Sequence, residues 1–470
     1  MIALRTAYIL VFGFVLSSCD SSVDEPTAKN GYPGKIAVII ENNCLGGSCH
    51  TTATKENGGL DLSNWDAMMR GDSLLNDVIP FNARLSFLFQ HINTNRDRGE
   101  KASPRMPLAR DPLSDEDQKT IYDWINGGAK SSDDRIAYAN VTKKLFVPNQ
   151  GEDVLSVIDA ETNRLIRAEQ FETGSEPAAV ATDPTKEFLY LGFQDNSGTV
   201  KKIRISDYSL AAEFISGLAP KSLVITPDGK KGYISSYPSA FKNRIGVFDP
   251  ISMKIIKTIE TKLIRSSLGM ICSQDGKYLY VTGYESDNVL IIDTETDTVV
   301  ANMRLSESVP VAPDDTYYTV YSPASLALSH DQKYLFVTST NTQRVYVFDL
   351  ETRILKQFIS VEVFPRGIMV VPGTNELWVV NAGSNDISII DMTSLEVTII
   401  IETVGNEPTA IEFSADGKLA YVACLSKKAK SGHHSGGNQP SSVFVLDRAT
   451  RKIIKEIEMP IFSAGIARGY

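Results

Sequence analysis

The chain has 470 residues, 42% hydrophobic and 22% charged, which is ordinary for globular protein and long enough for two or three domains. Its net charge of −10 provides no basic surface to displace counterions, which excludes nucleic acid as a partner. Five cysteines are too few for a disulfide scaffold, and three of them, Cys19, Cys44 and Cys49, lie near the start.

The N-terminus reads as an export signal. Arg5 precedes an apolar run from Ala7 to Leu16 that is too short to span a bilayer stably. The run ends in Leu16-Ser17-Ser18-Cys19, which resembles the lipobox of bacterial lipoproteins. That resemblance implies a signal peptide over residues 1–18, removed to leave Cys19 as an acylated first residue. An ordinary cleaved signal followed by an unrelated cysteine is the alternative. Residues 19–34 are polar and rich in turn formers, as expected of a flexible tether. The expected location is therefore outside the cytoplasm, on the periplasmic side or at the cell surface, anchored to a bacterial membrane by lipid.

A small haem-type segment follows over residues 35–132. A short apolar stretch, Lys35 to Asn43, leads into Cys44-Leu45-Gly46-Gly47-Ser48-Cys49-His50. The haem-attachment signature is C-x-x-C-H, in which two thiols add to the haem vinyl groups and the adjacent histidine reaches the iron. Here four residues separate the cysteines, and Gly46 and Gly47 allow the extra residues to bulge. A Cys44–Cys49 disulfide is the alternative, but it leaves the following histidine unexplained. Downstream comes Ser103-Pro104-Arg105-Met106-Pro107-Leu108, then a helix with Ser114 as N-cap and Asp117 three residues on, ended by Gly127-Gly128. Ile121, Trp124 and Ile125 fall on one face of it.

The order of helix, C…CH, Met-Pro loop and closing helix resembles the small all-α c-type cytochrome domains of secreted bacterial proteins. The resemblance implies one covalent haem c, with Cys44 and Cys49 carrying the thioethers, His50 as proximal ligand to the iron and Met106 as distal ligand. His91 is the competing sixth ligand, and Met68 and Met69 read as core. Methionine opposite histidine raises the potential and fills both axial positions, which suits electron transfer.

From Ala137 to the end the composition becomes β-branched and aromatic, and the sequence repeats. An apolar strand ending in aspartate and a polar turn recurs seven times, with Asp159, Asp207, Asp249, Asp293, Asp349, Asp391 and Asp447 spaced 42 to 56 residues apart. That period is the length of a four-stranded propeller blade. A turn-strand unit recurs as TPDGKKGYIS at Thr226, SQDGKYLYVT at Ser273, SHDQKYLFVT at Ser329 and SADGKLAYVA at Ser414. It is similar to the YVTN-type propeller repeat, which implies an all-β seven-bladed propeller over residues 137–470. Lys144 to Pro148 reads as a second strand without a first, and Ser463 to Arg468 as a first strand without a successor. Their pairing is expected to complete one blade from both ends and close the ring. The repeated aspartates are expected to serve the turns, because a residue present in every blade cannot mark a single site.

The two longest repeat steps flag inserted loops at Leu305–Ser322 and Leu425–Ser441, which should emerge on one rim of the channel. The helical segment should join at the opposite face or at the propeller's side. His433 and His434 lie in the second loop without an accompanying Cys, Asp or Glu, so they read as solvated rather than metal-binding. His330 reads as an exposed turn residue, and Cys272 and Cys424 as small apolar fillers. The expected function is electron transfer by a membrane-anchored haem protein, the propeller docking a redox partner protein or a small redox substrate. Two alternatives stand beside it: a propeller oxidoreductase with a substrate or second cofactor in the channel, and a surface binding or adhesion lipoprotein without a redox role. An electron carrier or binding protein is expected over a catalyst.

Overall fold

Runs such as Tyr278-Leu-Tyr-Val-Thr and Asn288-Val-Leu-Ile-Ile-Asp are apolar at every position, so they form strands that must be covered on both faces. In the structure, a computed structural model, they lie in the middle of four-stranded sheets stacked face to face. It describes residues 26–46, 49–52, 60–71, 77–237, 243–305, 320–426, 441–463 and 465–470. The signal peptide, Cys19 and the inserted-loop residues 306–319 and 427–440, including His433 and His434, lie outside these. Among the described residues, 28 strands make seven four-stranded sheets. Blade 4 is representative: Ser267–Cys272, Tyr278–Gly283, Asn288–Asp293 and Thr298–Arg304 pair antiparallel in sequence order from the channel outward.

Burial follows position in the blade. The third strand of blade 4 is buried from Asn288 to Ile292, whereas its outer strand alternates between exposed and partly buried residues. One apolar cluster fills each gap between neighbouring blades. Val289 and Ile291 of blade 4 pack on Leu335 and Val337 of blade 5, and Trp378 of blade 6 packs on Phe413 of blade 7. A ring of seven such interfaces has no free sheet face.

The ring closes through blade 1. Lys144–Asn149 pairs on one side with Val154–Asp159 and on the other with Ala467–Arg468, so the two ends of the propeller share a sheet. The closing strand is shorter than the sequence suggests: only Ala467–Arg468 is a ladder, and an isolated bridge joins Asn149 to Ser463. The Asn149 side chain makes up the difference. Buried, it donates to the Pro460 carbonyl and Ser463 Oγ, each at 3.0 Å, and accepts from Ser156 Oγ at 2.7 Å.

The repeated aspartates do the local work expected of them. Asp293 Oδ1 accepts the backbone N–H groups of Glu295 and Thr296, and Asp447 Oδ1 that of Thr450. These hydrogen bonds hold both carboxyls below the ordinary range. The other turn uses the same chemistry. In the Ser273 unit, Ser273 Oγ donates to Asp275 and accepts from Tyr278 N–H, and Gly276 takes φ +73°.

Among the described residues before 143 there are four short α-helices: α1 Gly34–Asn43, α2 Trp65–Arg70, α3 Phe87–Ile92 and α4 Asp115–Asn126. No helix among the described residues is long and apolar enough to cross a membrane. The helices share an apolar cluster of their own, centred on Ile36, Ile40, Met68, Phe89, Ile121 and Ile125. Ser114 caps α4, its Oγ accepting Asp117 N–H at 3.0 Å, as its spacing predicts. Trp124 is only half-buried and rests edge-on against Tyr32.

The polar tether expected over 19–34 ends early. Tyr32 is buried in the helical cluster and donates to the Leu62 carbonyl at 3.2 Å, because an aromatic ring gains more from that core than from water.

The helical unit lies on the side of the propeller, against the outer strand of blade 1, Arg164–Gln170. Ile79 enters the cluster between blades 7 and 1, and the Arg167 guanidinium stacks 3.7 Å from the Phe81 ring centroid. This strand is accordingly buried at Leu165, Ile166 and Ala168, where the blade 4 outer strand is largely exposed.

Candidate functional site

The site-bearing residues of the helical unit sit on two facing segments. Helix α1 follows Pro33 and buries Ile36, Ala37, Ile39 and Ile40. It ends at Cys44, whose N–H donates to the Ile40 carbonyl at 2.8 Å. His50 N–H donates back to the Cys44 carbonyl at 3.3 Å. The chain is therefore tied at both ends of the five-residue stretch between Cys44 and His50, and the histidine stays beside the helix end. Gly47 and Ser48 within that loop lie outside the described residues.

Cys44 is half-buried and Cys49 is exposed. Burial, with the charge of Cys49 adding to it, pushes the Cys44 thiol up to about 12, so it is a neutral thiol at physiological pH. The half-buried His50 imidazole donates to the Leu60 carbonyl. Burial holds this imidazole below its ordinary value, and the nearby charge of His91 acts in the same direction. An imidazole with one nitrogen bound to a carbonyl and in neutral form is oriented as a metal-ligating histidine needs to be.

The facing segment is the Met-Pro loop. Met106 N–H donates to the His91 carbonyl at 2.8 Å, so the loop is fastened to the last turn of α3. His91 Nδ1 lies 2.6 Å from the Pro104 carbonyl, which fixes its ring as well. Half-buried Met106 and Cys44 pack against the same apolar cluster. The loop also reaches the cysteine turn directly: a Cβ added at Gly46 would sit 3.3 Å from Arg110 Nη2. Of the expected site residues, Cys44 and Met106 pack against this apolar cluster, and His50 feels the charge of His91. Met68 and Met69 are buried core, as expected. The donor groups brought to this part of the helical unit are two cysteine thiols, an imidazole and a thioether. Among the described residues no three His, Cys, Asp or Glu side chains converge to hold a metal ion directly.

Sequence reasoning passed over three contributors, the Leu60 and Pro104 carbonyls and Arg110. They act through backbone or across the fold, and no local pattern marks them. The propeller channel, expected as a site only in the oxidoreductase alternative, holds a cavity of about 480 Å³ at the starts of the innermost strands. His330 is exposed and Cys424 is fully buried between blades 6 and 7, as read, whereas Cys272, at the end of the innermost strand of blade 4, is only half-buried.

Comparison with known proteins bears on the propeller. A family model described as lactonase, 7-bladed beta-propeller matches residues 269–413. Two curated relatives, both described as uncharacterized protein YncE, from Salmonella typhi and Salmonella typhimurium, are each 26% identical over 249 residues. The match covers 53% of this chain and 65% of theirs, so the chain spans just under two thirds of their length. Among solved structures, hydrazine synthase of Kuenenia stuttgartiensis aligns with TM-score 0.51 at 21% identity, over 65% of this chain and 92% of that one. A functionally unknown protein from Desulfotomaculum acetoxidans aligns with TM-score 0.55 at 12% identity, over 69% and 98% of the respective chains. At these identities the likeness is one of fold. Repeat pattern, sheet topology and comparisons agree: the chain carries a seven-bladed β-propeller.

Proposed function

We propose that this protein is an exported, lipid-anchored electron carrier that holds one covalent haem c in its helical unit and uses the propeller to dock its redox partner. The observation that carries the reading is the pairing of Cys44, Cys49 and a carbonyl-held His50 at the end of α1 with Met106 on the loop packed against the same cluster. The haem, when bound, supplies a one-electron iron couple.

The chain's residues hold and tune that group. Cys44 and Cys49 would hold the group through thioether bonds, each S–H adding across one vinyl double bond. The Leu60 carbonyl would orient His50, and the tie of the Met-Pro loop to α3 would position the Met106 thioether as a second ligand. The apolar cluster around Ile40 and Phe89 excludes water and favours the reduced, less charged state. Export and anchoring rest on Leu16-Ser17-Ser18-Cys19.

A spectroelectrochemical titration of the full chain, matured in a host that attaches haem c, tests the role. One reversible one-electron couple whose potential is that of a methionine-histidine site is expected. A haem that binds exogenous ligands at once and cycles irreversibly would contradict the carrier reading.

A further inference from the structure

The propeller channel carries two cations that its fold does not consume. The innermost strands begin at the same rim, and Ala178, Lys221, Leu268, Ala324, Arg366 and Thr409 hold corresponding positions there, each directly after Pro177, Pro220, Ser267, Pro323, Pro365 or Pro408. Four of the six are uncharged. Lys221 of blade 3 and Arg366 of blade 6 come from opposite sides of the ring and line one cavity of about 480 Å³, a volume typical of small-molecule sites. No carboxylate lines it among the described residues, although the protein as a whole carries a net charge of −10.

The donors are mostly unspent. Lys221 Nζ makes one long hydrogen bond, 3.4 Å to Gln150 Oε1, out of three it can donate. The Arg366 guanidinium, exposed to the channel, has no hydrogen bond or ion pair with any described residue. Gln150 in turn donates to Gln194 at 2.9 Å and to Glu176 at 3.2 Å, so the nearest carboxylate is engaged one residue removed from the lysine. Polar groups of Thr340 and Ser463 and the rings of Tyr237 and Tyr284, edge to face at 5.9 Å, complete the wall. Burial costs the Lys221 amine hydration and the charge of Arg366 adds to that cost, so an anion held between the two cations is favoured.

We propose that the propeller channel binds a small carboxylate- or phosphate-bearing anion between Lys221 and Arg366. The rim is the one from which residues 306–319 and 427–440 leave the propeller, since Leu425 lines the same cavity. The site is independent of haem in the helical unit. Burial first, then the charge of Arg366, brings the Lys221 amine down to about 8, with Glu176 opposing. The charged form that holds the anion is therefore present below that pH and lost above it, while Arg366 keeps its charge.

Isothermal titration of the full mature chain with orthophosphate and with citrate, and glucose as the neutral control, tests the proposal. Saturable binding of at least one anion at pH 7 is expected, with none of glucose. Affinity should fall at least tenfold in Lys221→Gln and in Arg366→Gln, and severalfold between pH 7 and 9 in the parent but not in Lys221→Arg. Citrate alone points to a carboxylate ligand, orthophosphate alone to a phosphate ester. Melting temperatures of the free variants check folding, and Arg366, exposed, is the safer of the two. Failure of both anions to bind, or equal binding by both glutamine variants, overturns the proposal.

Discussion

Met106→Ala is expected to leave covalent haem in place and to lower its reduction potential by more than about 100 mV, a modest part of the about 0.8 V that axial ligation spans. Cys44, Cys49 and His50 stand on the other segment and are untouched by the change. The thioether is the softer, poorer donor, so it favours ferrous iron, and an alanine leaves water or a stronger base in its place. The absorption band that arises from sulfur bound to ferric iron should vanish with it. His91→Ala separates the two candidate ligands. If Met106 is the ligand, this variant keeps the sulfur band, because the loop is still tied by its backbone hydrogen bond to residue 91. If His91 is the ligand, the sulfur band is missing in the parent, and Met106→Ala changes little.

The second large effect concerns closure. Truncation after Met459 removes Ser463 and the Ala467–Arg468 strand and exposes the inner edge of Lys144–Asn149. It orphans the buried Asn149 amide, which then lacks both of its acceptors, and uncovers Phe146, which an added Cβ at Gly469 would touch at 2.4 Å. A buried amide without partners costs about 1–3 kcal/mol, and loss of the strand pairing and of the apolar cover adds to it. We expect a total on the order of 5 kcal/mol, most of the net stability of an ordinary domain. Chemical denaturation and size-exclusion chromatography should show a lower midpoint and aggregation through the free edge. An unchanged midpoint would mean that six closed blade interfaces hold the ring without its seventh clasp.

The propeller was legible because its chemistry is local and repeated. Asp293 and Asp447 accept backbone N–H groups two or three residues away, and Ser273 closes its own five-residue turn, so each blade writes the same short pattern into the chain. The closing helix was legible for a similar reason: its N-cap, Ser114, accepts the backbone N–H of Asp117 only three residues ahead.

What escaped depends on distant parts meeting. Lys221 and Arg366 look like ordinary strand residues until ring closure sets blades 3 and 6 across one channel. The Leu60 and Pro104 carbonyls are invisible because every residue has one, and only the fold selects which faces an imidazole. Tyr32 sits in a polar, breaker-rich stretch that composition assigns to a tether, yet its ring finds the helical core.

The most direct test of the central claim is the haem content of the mature protein. The chain should be made in a host with cytochrome c maturation, denatured, and measured as its pyridine haemochrome against total protein. The account predicts about one haem per chain that survives denaturation and is lost when Cys44 and Cys49 are both changed to alanine. No haem in the denatured chain, with the two thiols joined as a disulfide, would contradict it and leave a propeller whose role must be sought in its channel.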